Sequence, residues 1–477
     1  MTGAARVAGP AAQLPGAAQL PDPAQRSDPV QRSGKAQLPG TVPGGAIPLL
    51  RLGSWRSCLD LALPAGPALP AVSLAPEILI RSDARRLRRE PQLRLPDRAE
   101  RVRMLAAGWE QFWSGTVDCG GLGPQSYQAF QTVLWQAAGL PAALIDRWCG
   151  LLGAQLTEIL ADPVTAEPVT ADPADAVGPL TLSLVALPGN TFTCLESVFS
   201  AALSGAAVWI RPSTREPFSA LRLVSAMLAQ GWPANLLGFY PSRRGALPVL
   251  VDVTDRQIVY GGADVVATLR GRPAAVAHGP LRVCAIVPAG ADPLDAAARL
   301  RDLIATDAGR FCTAVRSILC LGDPAPIAAG LGVLLDSISL TPPDPALPQA
   351  ASPDRDLAAR ITELIETRIG GADRITRRPI LSLAGPSAYL APTLVALPAR
   401  PGADLRWADP DLLSPAPELP SPTAGHSRAG PHPLFGFEPP FPFATIMAVS
   451  PAQAAGLAEQ ADIAHHLTPD APGGCPR

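Results

Sequence analysis

The sequence predicts an α/β fold in which a parallel, doubly wound sheet is joined to a second α/β domain. Short apolar runs alternate with stretches of helical spacing between residues 180 and 322, as in chains that build parallel sheets. The length of 477 residues suits two domains with large cores. The 56 prolines exceed the usual share of about 5% roughly twofold, which excludes a coiled coil or an all-helical bundle.

The predicted elements follow one another closely along this region. Residues 180–188 (LTLSLVALP) predict a buried strand, 193–206 a helix and 207–213 a second strand, which together make one βαβ unit. Residues 217–230 predict a helix with a proline in its first turn. The pattern continues with a strand-like run at 235–241, a strand at 256–262, a helix that starts at 263, a strand at 281–290, a helix at 292–307 and a strand at 314–322.

Four segments have the composition of irregular chain. Residues 1–45 repeat AQLPG and contain hardly any aromatic or β-branched residues, so we expect a disordered arm. A loop or linker is expected at 160–178, where the unit PVTA repeats. Pro-rich runs at 341–354 and 410–433 are expected to form long surface loops, because proline lacks the donor that a helix or sheet interior requires.

Charge and cysteine content narrow the range of functions. The 39 basic and 41 acidic residues nearly cancel, so we expect neither nucleic acid nor a membrane as a partner. Lys35 is the only lysine, which argues against Schiff-base and pyridoxal chemistry. The eight cysteines have no spacing that would hold zinc, and their scatter predicts a reduced compartment. Without a signal-peptide core or an apolar stretch of about 18 residues, we expect a cytoplasmic protein.

The most informative candidate for chemistry is Cys312, in the segment DAGRFCTA at 307–314. This segment lies between a predicted helix and a predicted strand, where a thiol can face a cleft and be activated by backbone donors. The alternative is a packed and inert side chain, which is the commoner situation for any single cysteine.

The order of the motifs between residues 180 and 445 resembles the aldehyde dehydrogenase superfamily. Seven segments carry the resemblance, and each of them is weak alone. They are similar to the family's Pro-Trp-Asn, Lys-Pro-Ser, Pro-Gly-Val-Leu-Asn, Phe-Thr-Gly-Ser, Gly-Gln-x-Cys, Tyr-x-x-Pro-Thr and Phe-Gly elements, at 187–190, 209–213, 233–237, 259–262, 309–313, 389–393 and 434–436 in that order.

The resemblance implies an NADP or NAD cofactor and Cys312 as the catalytic nucleophile. It implies that the Asn190 amide and the Cys312 backbone N–H stabilise an oxyanion, a task for preorganised donors. For Asn190 the alternative is a turn residue after Pro-Gly. The cofactor-binding candidates are Arg211 and Ser213 at the adenosine ribose, Gly261 and Gly262 at the nicotinamide end, and in addition Pro188, Thr214 and Phe435.

The segment 276–280 departs from the family pattern. Hydrolytic members carry a glutamate there, in a Leu-Glu-Leu-Gly-Gly segment, where it activates the water that releases the acyl enzyme. This chain has Val-Ala-His-Gly-Pro, so we expect slow hydrolysis and easier exchange with a thiol or reduction of a thioester. The His-Gly-Pro turn is similar to the acyl-CoA reductase-like branch known from bacterial luminescence. His278 is therefore a candidate proton donor, with a surface turn histidine as the alternative.

The ribose segment favours NADPH over NADH. Arg211 stands where the family usually has lysine, and Thr214 stands where NAD-preferring members often have a glutamate. An arginine attracts a 2′-phosphate bidentately, whereas a carboxylate would repel it. Val266 replaces a glycine of the nicotinamide-side turn, and a β-branched side chain there would narrow the approach of the pyrophosphate to the backbone.

Two further departures concern the C-terminal part of the chain. Residues 433–436 (Pro-Leu-Phe-Gly) lack the glutamate that holds the nicotinamide ribose in the family. The family's closing segment has no counterpart after them, so we expect a shortened C-terminus. The resemblance thus implies an aldehyde dehydrogenase-like α/β architecture, with the arm at 1–45, a Rossmann-type nucleotide-binding domain at 46–280 and an α/β catalytic domain at 281–477.

Together these observations predict an NAD(P)H-dependent reductase that converts an acyl thioester to an aldehyde through a cysteine thioester, or runs the reverse oxidation. The acyl group would be carried by coenzyme A or by an acyl carrier protein, and a homodimer is one of the open oligomeric states. A non-catalytic binding or scaffolding protein that retains the fold is the alternative from another class. An NAD(P)-dependent aldehyde dehydrogenase that forms the acid is the third alternative.

Overall fold

The computed structural model describes residues 45–62, 69–89, 95–161, 181–369, 372–385, 387–399, 405, 407 and 432–467. The predicted arm at 1–45, the linker at 160–178 and the Pro-rich run at 410–433 lie almost entirely outside the described residues. Residues 341–354 are described and form neither helix nor strand, as predicted, but Leu347 and Gln349 are buried. This connection is therefore packed against the core rather than spread over the surface.

The strands of the described residues form two large sheets and three hairpins. In chain order they are β1 (Leu49–Arg51), β2 (Ser54–Arg56), β3 (Leu61–Ala62), β4 (Val72–Ser73), β5 (Val117–Asp118), β6 (Pro124–Gln125), β7 (Leu182–Ala186), β8 (Ala207–Arg211), β9 (Leu237–Phe239), β10 (Arg256–Tyr260), β11 (Ala275–His278), β12 (Val283–Val287), β13 (Ser317–Cys320), β14 (Asp373–Arg374), β15 (Leu381–Ala384), β16 (Ser387–Leu390), β17 (Thr393–Ala396), β18 (Phe443–Ala448) and β19 (Ile463–His466).

The helices of the described residues cover both faces of the two large sheets. In chain order they are α1 (Glu77–Arg89), α2 (Arg98–Ser114), α3 (Tyr127–Ala138), α4 (Ala142–Ala161), α5 (Glu196–Leu203), α6 (Phe218–Ala229), α7 (Leu247–Val253), α8 (Ala263–Leu269), α9 (Pro293–Ala305), α10 (Ala325–Ser337), α11 (Arg355–Ile369) and α12 (Pro451–Gln460). Short 3₁₀ turns lie at Thr193–Leu195, Ala234–Leu236, Arg244–Ala246 and Thr306–Gly309. No helix in the described part of the chain is long and apolar enough to cross a bilayer.

The first sheet has the strand order β11-β10-β7-β8-β9-β1-β2. Its strands from β11 to β9 run parallel, and β1 and β2 add an antiparallel hairpin at one edge. Side chains of β8 alternate between the faces: Val208 and Ile210 pack with α2 to α6, whereas Ala207 and Trp209 pack with α1 and α7. Both faces are apolar and covered by helices, which is the doubly wound arrangement that the sequence predicts.

The second sheet has the order β14-β17-β18-β13-β12-β19, and only β14 is antiparallel to its neighbour. Helices α9 and α10 cover one face, and α11 and α12 cover the other. The first sheet ends at His278 and the second begins at Val283. The division into a nucleotide-binding and a catalytic domain at 280/281 stays a prediction.

Every strand and helix predicted between 180 and 322 is present, with ends trimmed by one to three residues at most positions. Local chemistry explains several starts: Asp292 caps α9 by accepting from the backbone N–H groups of Leu294 and Asp295. Pro217 lies at the N-cap of α6, where its missing N–H has no partner to lose. One predicted helix divides into two, because residues 193–195 form a 3₁₀ turn before α5 begins at Glu196.

Candidate active site

The carboxyl ends of β7, β8 and β9 meet at a cavity of about 390 Å³. Its wall includes residues that follow each strand: 187–189 after β7, 211–214 after β8 and 242–244 after β9. A crevice beyond the carboxyl ends of parallel strands is where α/β sheets bind dinucleotides. The structure therefore brings Pro188, Arg211, Ser213 and Thr214 together on one cavity wall, while their role in binding a cofactor stays a prediction.

The loops after β7 and β8 approach each other closely at Gly189. A Cβ atom at this position would lie 2.5 Å from the Ser213 Oγ atom, well inside contact distance. A larger residue would force the Ser213 side chain to move and would change the shape of the cavity. The Leu-Pro-Gly-Asn segment therefore needs its glycine for packing, in addition to the turn.

Three arginines line the cavity, and two of them form ion pairs with carboxylates. The Arg211 guanidinium donates to the Ser242 Oγ atom (3.1 Å) and to the Ser242 carbonyl oxygen (3.2 Å). Burial, followed by the repulsion of Arg244, lowers the pKa of Arg211 to about 10, so it stays protonated at neutral pH. Arg243 pairs with Asp60 at 2.6 Å, and Arg244 pairs with Asp264. An anionic ligand in this cavity would meet Arg211, which the Ser242 contacts hold in place, and would compete with Asp60 and Asp264 for Arg243 and Arg244.

The predicted nicotinamide-side residues lie at the next two strands. Gly261 and Gly262 follow β10, and His278 ends β11 with its ring stacked on Tyr260 (centroids 4.5 Å apart, 13° between planes). Partial burial lowers the pKa of His278, so the imidazole is mainly neutral at pH 7. This favours a base or a hydrogen-bond partner over the proton donor that the sequence suggests. Its catalytic role stays a prediction.

Val266 packs against the turn after β11. A Cβ atom at Gly279 would lie 2.7 Å from the Val266 Cγ2 atom, which shows how closely helix α8 approaches this turn. The β-branched side chain therefore fills space between α8 and the 279 turn. Whether it also narrows the approach of a pyrophosphate, as the sequence suggests, stays a prediction.

The turn that leads to Cys312 has three consecutive residues in the left-handed region. Asp307, Ala308 and Gly309 have φ values of 56°, 54° and 59°. A non-glycine residue there costs about 1–2 kcal/mol. The Asp307 carboxylate offsets part of this cost, because it accepts hydrogen bonds from the Arg147 Nε atom (2.8 Å) and the Trp148 Nε1 atom (2.9 Å) of α4. Strained backbone of this kind is concentrated at functional sites.

Asn190 and Arg310 hold the loop after β7 to the Cys312 loop. The Asn190 Nδ2 atom donates to the Arg310 carbonyl oxygen at 2.9 Å, and the Arg310 guanidinium donates back to the Asn190 carbonyl oxygen at 3.3 Å. Arg310 also donates to the Ala138 carbonyl oxygen, and burial lowers its pKa to about 10. The structure thus brings the predicted amide donor next to the loop of the predicted nucleophile. An amide carries two N–H groups, so one of them suffices for this contact.

The Cys312 side chain is half-buried, so it is more accessible than a core cysteine and less accessible than a surface one. Burial, followed by the carboxylate of Glu438, raises its pKa, and backbone donors and Arg316 lower it by less. Backbone donors therefore act on the sulfur, as the sequence suggests, but burial outweighs them. At neutral pH Cys312 is a thiol, and it needs a proton acceptor to become a nucleophile.

Arg316 and Glu438 complete the surroundings of Cys312. The buried Arg316 donates to the carbonyl oxygens of Phe441 (2.9 Å) and Gly309 (2.6 Å). Glu438 accepts from the Leu281 backbone N–H, and burial raises the pKa of its carboxyl to about 7. Its Oε2 atom is shielded from solvent and has no hydrogen-bond partner among the described residues. A buried carboxyl with this pKa exchanges its proton at neutral pH.

A second thiol, that of Cys194, lies near enough to Cys312 for the two to interact electrostatically. Burial, followed by the charges of Glu196 and Cys312, raises the pKa of Cys194 to about 12. The Tyr260 hydroxyl shares a 2.8 Å hydrogen bond with the Ser197 Oγ atom. Burial raises the pKa of Tyr260 as well. Both groups therefore stay protonated at neutral pH.

Phe435 lies in a different place from the other candidates. It is buried in the core of the second sheet and stacks on Trp407, with the ring centroids 4.9 Å apart. Its assignment as a cofactor-binding residue stays a prediction. Glu438 was not predicted from the sequence, although a single carboxylate in the apolar run LFGFEPPFPF was a usable signal. Arg310 and Arg316 were not predicted as site residues either, because sequence spacing alone does not connect them to the site.

The described residues contain no group of three or more histidine, cysteine or acidic side chains that could hold a metal ion.

No protein-family model and no curated protein sequence matches the chain. Solved structures do match it. A NAD-dependent benzaldehyde dehydrogenase from Corynebacterium glutamicum has a TM-score of 0.66 at 15% identity, with 90% of this chain and 91% of that chain covered. An NADP-dependent glyceraldehyde-3-phosphate dehydrogenase from Bacillus halodurans complexed with NADP has a TM-score of 0.61 at 18% identity, with 89% of this chain and 87% of that chain covered. A Bacillus cereus aldehyde dehydrogenase in complex with NAD⁺ has a TM-score of 0.64 at 14% identity, with 88% of each chain covered. The chain therefore has the aldehyde dehydrogenase fold.

Proposed function

We propose that this protein is an NAD(P)H-dependent reductase that converts an acyl thioester to an aldehyde through a thioester on Cys312, or runs the reverse oxidation. The observation that carries the proposal is the hydrogen bond from the Asn190 amide to the Arg310 carbonyl oxygen, which fixes a donor beside the Cys312 loop. The folds of NAD- and NADP-dependent aldehyde dehydrogenases support the reaction class. The acyl carrier is coenzyme A or an acyl carrier protein.

The cavity beyond β7, β8 and β9 fits an anionic dinucleotide, because its wall carries three arginines and a glycine that lets two loops close on each other. When bound, a reduced dinucleotide supplies the two electrons of the reduction. Arg211 and its neighbours Arg243 and Arg244 favour a 2′-phosphate, and Thr214 adds no negative charge to repel it. We therefore propose NADPH as the preferred cofactor over NADH.

The side chains of the site have distinct tasks in this reaction. The Cys312 sulfur adds to the carbonyl carbon of the acyl group, and the carbonyl oxygen becomes an anion. The Asn190 amide and the Cys312 backbone N–H donate to that oxygen, and the loss of one such donor typically costs about 3 kcal/mol of transition-state stabilisation. Arg310 holds both loops in place through its contacts with Asn190 and Ala138. The carrier thiol leaves, and the acyl group stays on Cys312.

An aldehyde dehydrogenase that forms the acid is the second candidate. Glu438 favours it, because a carboxyl next to the cysteine could activate water in place of the glutamate that 276–280 lacks. The shielding of the Glu438 Oε2 atom from solvent weighs against this role. The two candidates differ in their products, which are an aldehyde and a carboxylic acid.

The test is incubation of the purified protein with a panel of acyl thioesters and NADPH or NADH. Cofactor absorbance is followed, and any aldehyde is trapped as a hydrazone. We expect consumption of NADPH with aldehyde formation, and Cys312→Ala is expected to bind the cofactor without turnover. Acid formation from aldehydes without an added thiol would favour the second candidate. Absence of turnover in both directions would refute both enzymatic proposals.

A further inference from the structure

We propose that the Glu438 carboxylate accepts the proton of the Cys312 thiol as the sulfur attacks, and then passes that proton to the departing thiol of the carrier. The inference rests on the proposed function, since it requires Cys312 to be acylated by a thioester. It assigns the reaction a proton acceptor in a segment that lies 126 positions beyond the cysteine in the sequence.

Glu438 is fixed next to the cysteine loop by packing on both sides. Phe437, which precedes it, is fully buried against Phe443 with the ring centroids 5.6 Å apart. The chain after it is held by Arg316, which donates to the Phe441 carbonyl oxygen and to the Gly309 carbonyl oxygen of the cysteine loop. One arginine therefore ties the segment of Glu438 to the segment of Cys312. The carboxyl is close enough for its charge to act on the thiol.

The carboxyl group has an oxygen available for the proton. The Leu281 N–H donates to the carboxyl, whereas Oε2 has no partner among the described residues and no contact with solvent. The two terminal nitrogens of Arg316 donate to backbone carbonyls, and its Nε atom has no hydrogen-bond partner among the described residues. The described ion pairs do not include one between Arg316 and Glu438, although the Arg316 charge lowers the pKa of Glu438 by less than burial raises it. A buried carboxyl without a directly paired cation binds a proton more tightly than an exposed one.

Two of the other titratable groups near Cys312 do not compete for this role at neutral pH. Cys194 and Tyr260 have raised pKa values and stay protonated. Arg316 stays cationic and has no lone pair to offer. Glu196 and His278 can accept a proton, but they contact a different part of the site: Glu196 raises the pKa values of Cys194 and Tyr260, and the His278 ring stacks on Tyr260. Among the carboxylates, it is Glu438 that raises the pKa of Cys312. Glu438, with a pKa of about 7, is ionised in a large fraction of molecules and can accept a proton.

The proposed step balances without any redox change. The S–H bond of Cys312 breaks, its proton moves to the Glu438 carboxylate, and a bond forms between the sulfur and the acyl carbon. The bond between that carbon and the carrier sulfur then breaks, and protonated Glu438 gives its proton to the leaving thiolate. Glu438 ends as a carboxylate. When the aldehyde later leaves, the Cys312 sulfur departs as a thiolate and takes its proton from solvent.

The test compares two rates at Cys312, both measured by mass spectrometry of its peptide and neither requiring the dinucleotide. The first is alkylation by iodoacetamide, which attacks the thiolate and needs no proton for its leaving group. The second is acylation by acetyl-CoA and longer acyl-CoA thioesters. Wild type, Glu438→Gln, Glu438→Asp and the matched control Glu196→Gln are compared across the neutral and alkaline range. Circular dichroism checks that each variant is folded.

We expect opposite changes in Glu438→Gln. Removal of the neighbouring negative charge lowers the pKa of the thiol, so alkylation speeds up by roughly three- to tenfold at slightly alkaline pH. Loss of the proton acceptor slows acylation by about 10²–10⁴-fold. Glu438→Asp is expected to recover part of the acylation rate, and Glu196→Gln is expected to leave both Cys312 rates within about twofold.

The possible results separate this inference from the proposed function. If the wild type is acylated and Glu438→Gln is acylated at the same rate or faster, the proton-acceptor role is overturned and the reductase proposal stays intact. Unchanged alkylation in a folded Glu438→Gln also overturns it, because the two groups would then not be coupled. If no acyl thioester acylates wild-type Cys312, both the inference and the proposed function fail. If Glu438→Gln does not fold, Glu438→Asp decides the question. An acylation rate equal to that of the wild type at every pH overturns the inference, and a shifted pH profile of the acylation rate supports it.

Discussion

Replacement of Gly309 by alanine is expected to lower the free energy of unfolding by about 2–5 kcal/mol. Gly309 has a φ of +59°, where an L residue costs about 1–2 kcal/mol. A Cβ atom there would lie 2.6 Å from both the Cα and the N atom of Pro442, whereas ordinary contact begins at 3.4 Å. Neither atom belongs to a flexible side chain, so the backbone has to move. Overlap of this kind adds about 1–3 kcal/mol.

The assay is urea unfolding followed by tryptophan fluorescence, with Gly385→Ala as the matched control. Gly385 has a φ of +60°, but no described atom lies within 4 Å of a Cβ placed there. The free energy of unfolding of the control is therefore expected to fall only by the cost of placing an L residue at positive φ, about 1–2 kcal/mol. Equal losses in the two variants would refute the argument that Gly309 is required by the close approach of residues 441 and 442.

Three further predictions concern the cavity, the oxyanion and the buried carboxyl. Thr214→Glu is expected to weaken NADPH binding about 10- to 100-fold and NADH binding less, with Thr214→Gln as the neutral control, measured by fluorescence titration. Asn190→Ala is expected to lower kcat by about 10²–10³-fold with acyl thioester and NADPH, and an unchanged kcat would remove Asn190 from the oxyanion site. The pKa of Glu438 rises from 4.5 to about 7 on folding, so the folded state binds this proton more tightly and stability falls as pH rises through that range. We therefore expect the free energy of unfolding of Glu438→Gln, relative to that of the wild type, to be up to about 3 kcal/mol higher at slightly alkaline pH than in acid. Urea unfolding of both proteins at both pH values measures this change. A difference that does not depend on pH would contradict the raised pKa.

The alternating part of the fold was accessible from the sequence because its strands are buried on both faces. Runs such as 182–186 and 207–211 are almost continuously apolar, and the intervening helices have their own spacing. The β1–β2 hairpin at the sheet edge gave no comparable signal, since its strands are three residues long and β2 is partly exposed. The second sheet was predicted only in part, because β17, β18 and β19 come from distant sections of the chain.

The candidate site was partly accessible for a similar reason. Pro188, Arg211, Ser213 and Thr214 follow adjacent parallel strands, so topology alone brings them to one cavity. The left-handed turn before Cys312 could not be predicted, because local preference disfavours it at Asp307 and Ala308. It depends on an arginine that is 160 residues away in the sequence.

Glu438 shows a different limit of sequence analysis. Glu438 lies near Cys312 because Phe437 packs against Phe443 and because Arg316 donates hydrogen bonds to Phe441 and to Gly309 of the cysteine loop. None of these contacts has a characteristic spacing. The absence of a carboxylate at 276–280 therefore does not mean that no carboxylate lies near Cys312, because Glu438 belongs to a distant segment.

The most direct test of the account is the mass of the Cys312 peptide after the protein has been incubated with an acyl thioester and then with NADPH. We expect a stable acyl adduct on Cys312 before NADPH is added, its loss as an aldehyde after the addition, and no adduct in Cys312→Ser. An adduct on another cysteine, no adduct at all, or release of the acyl group as a carboxylic acid before NADPH is added would contradict it.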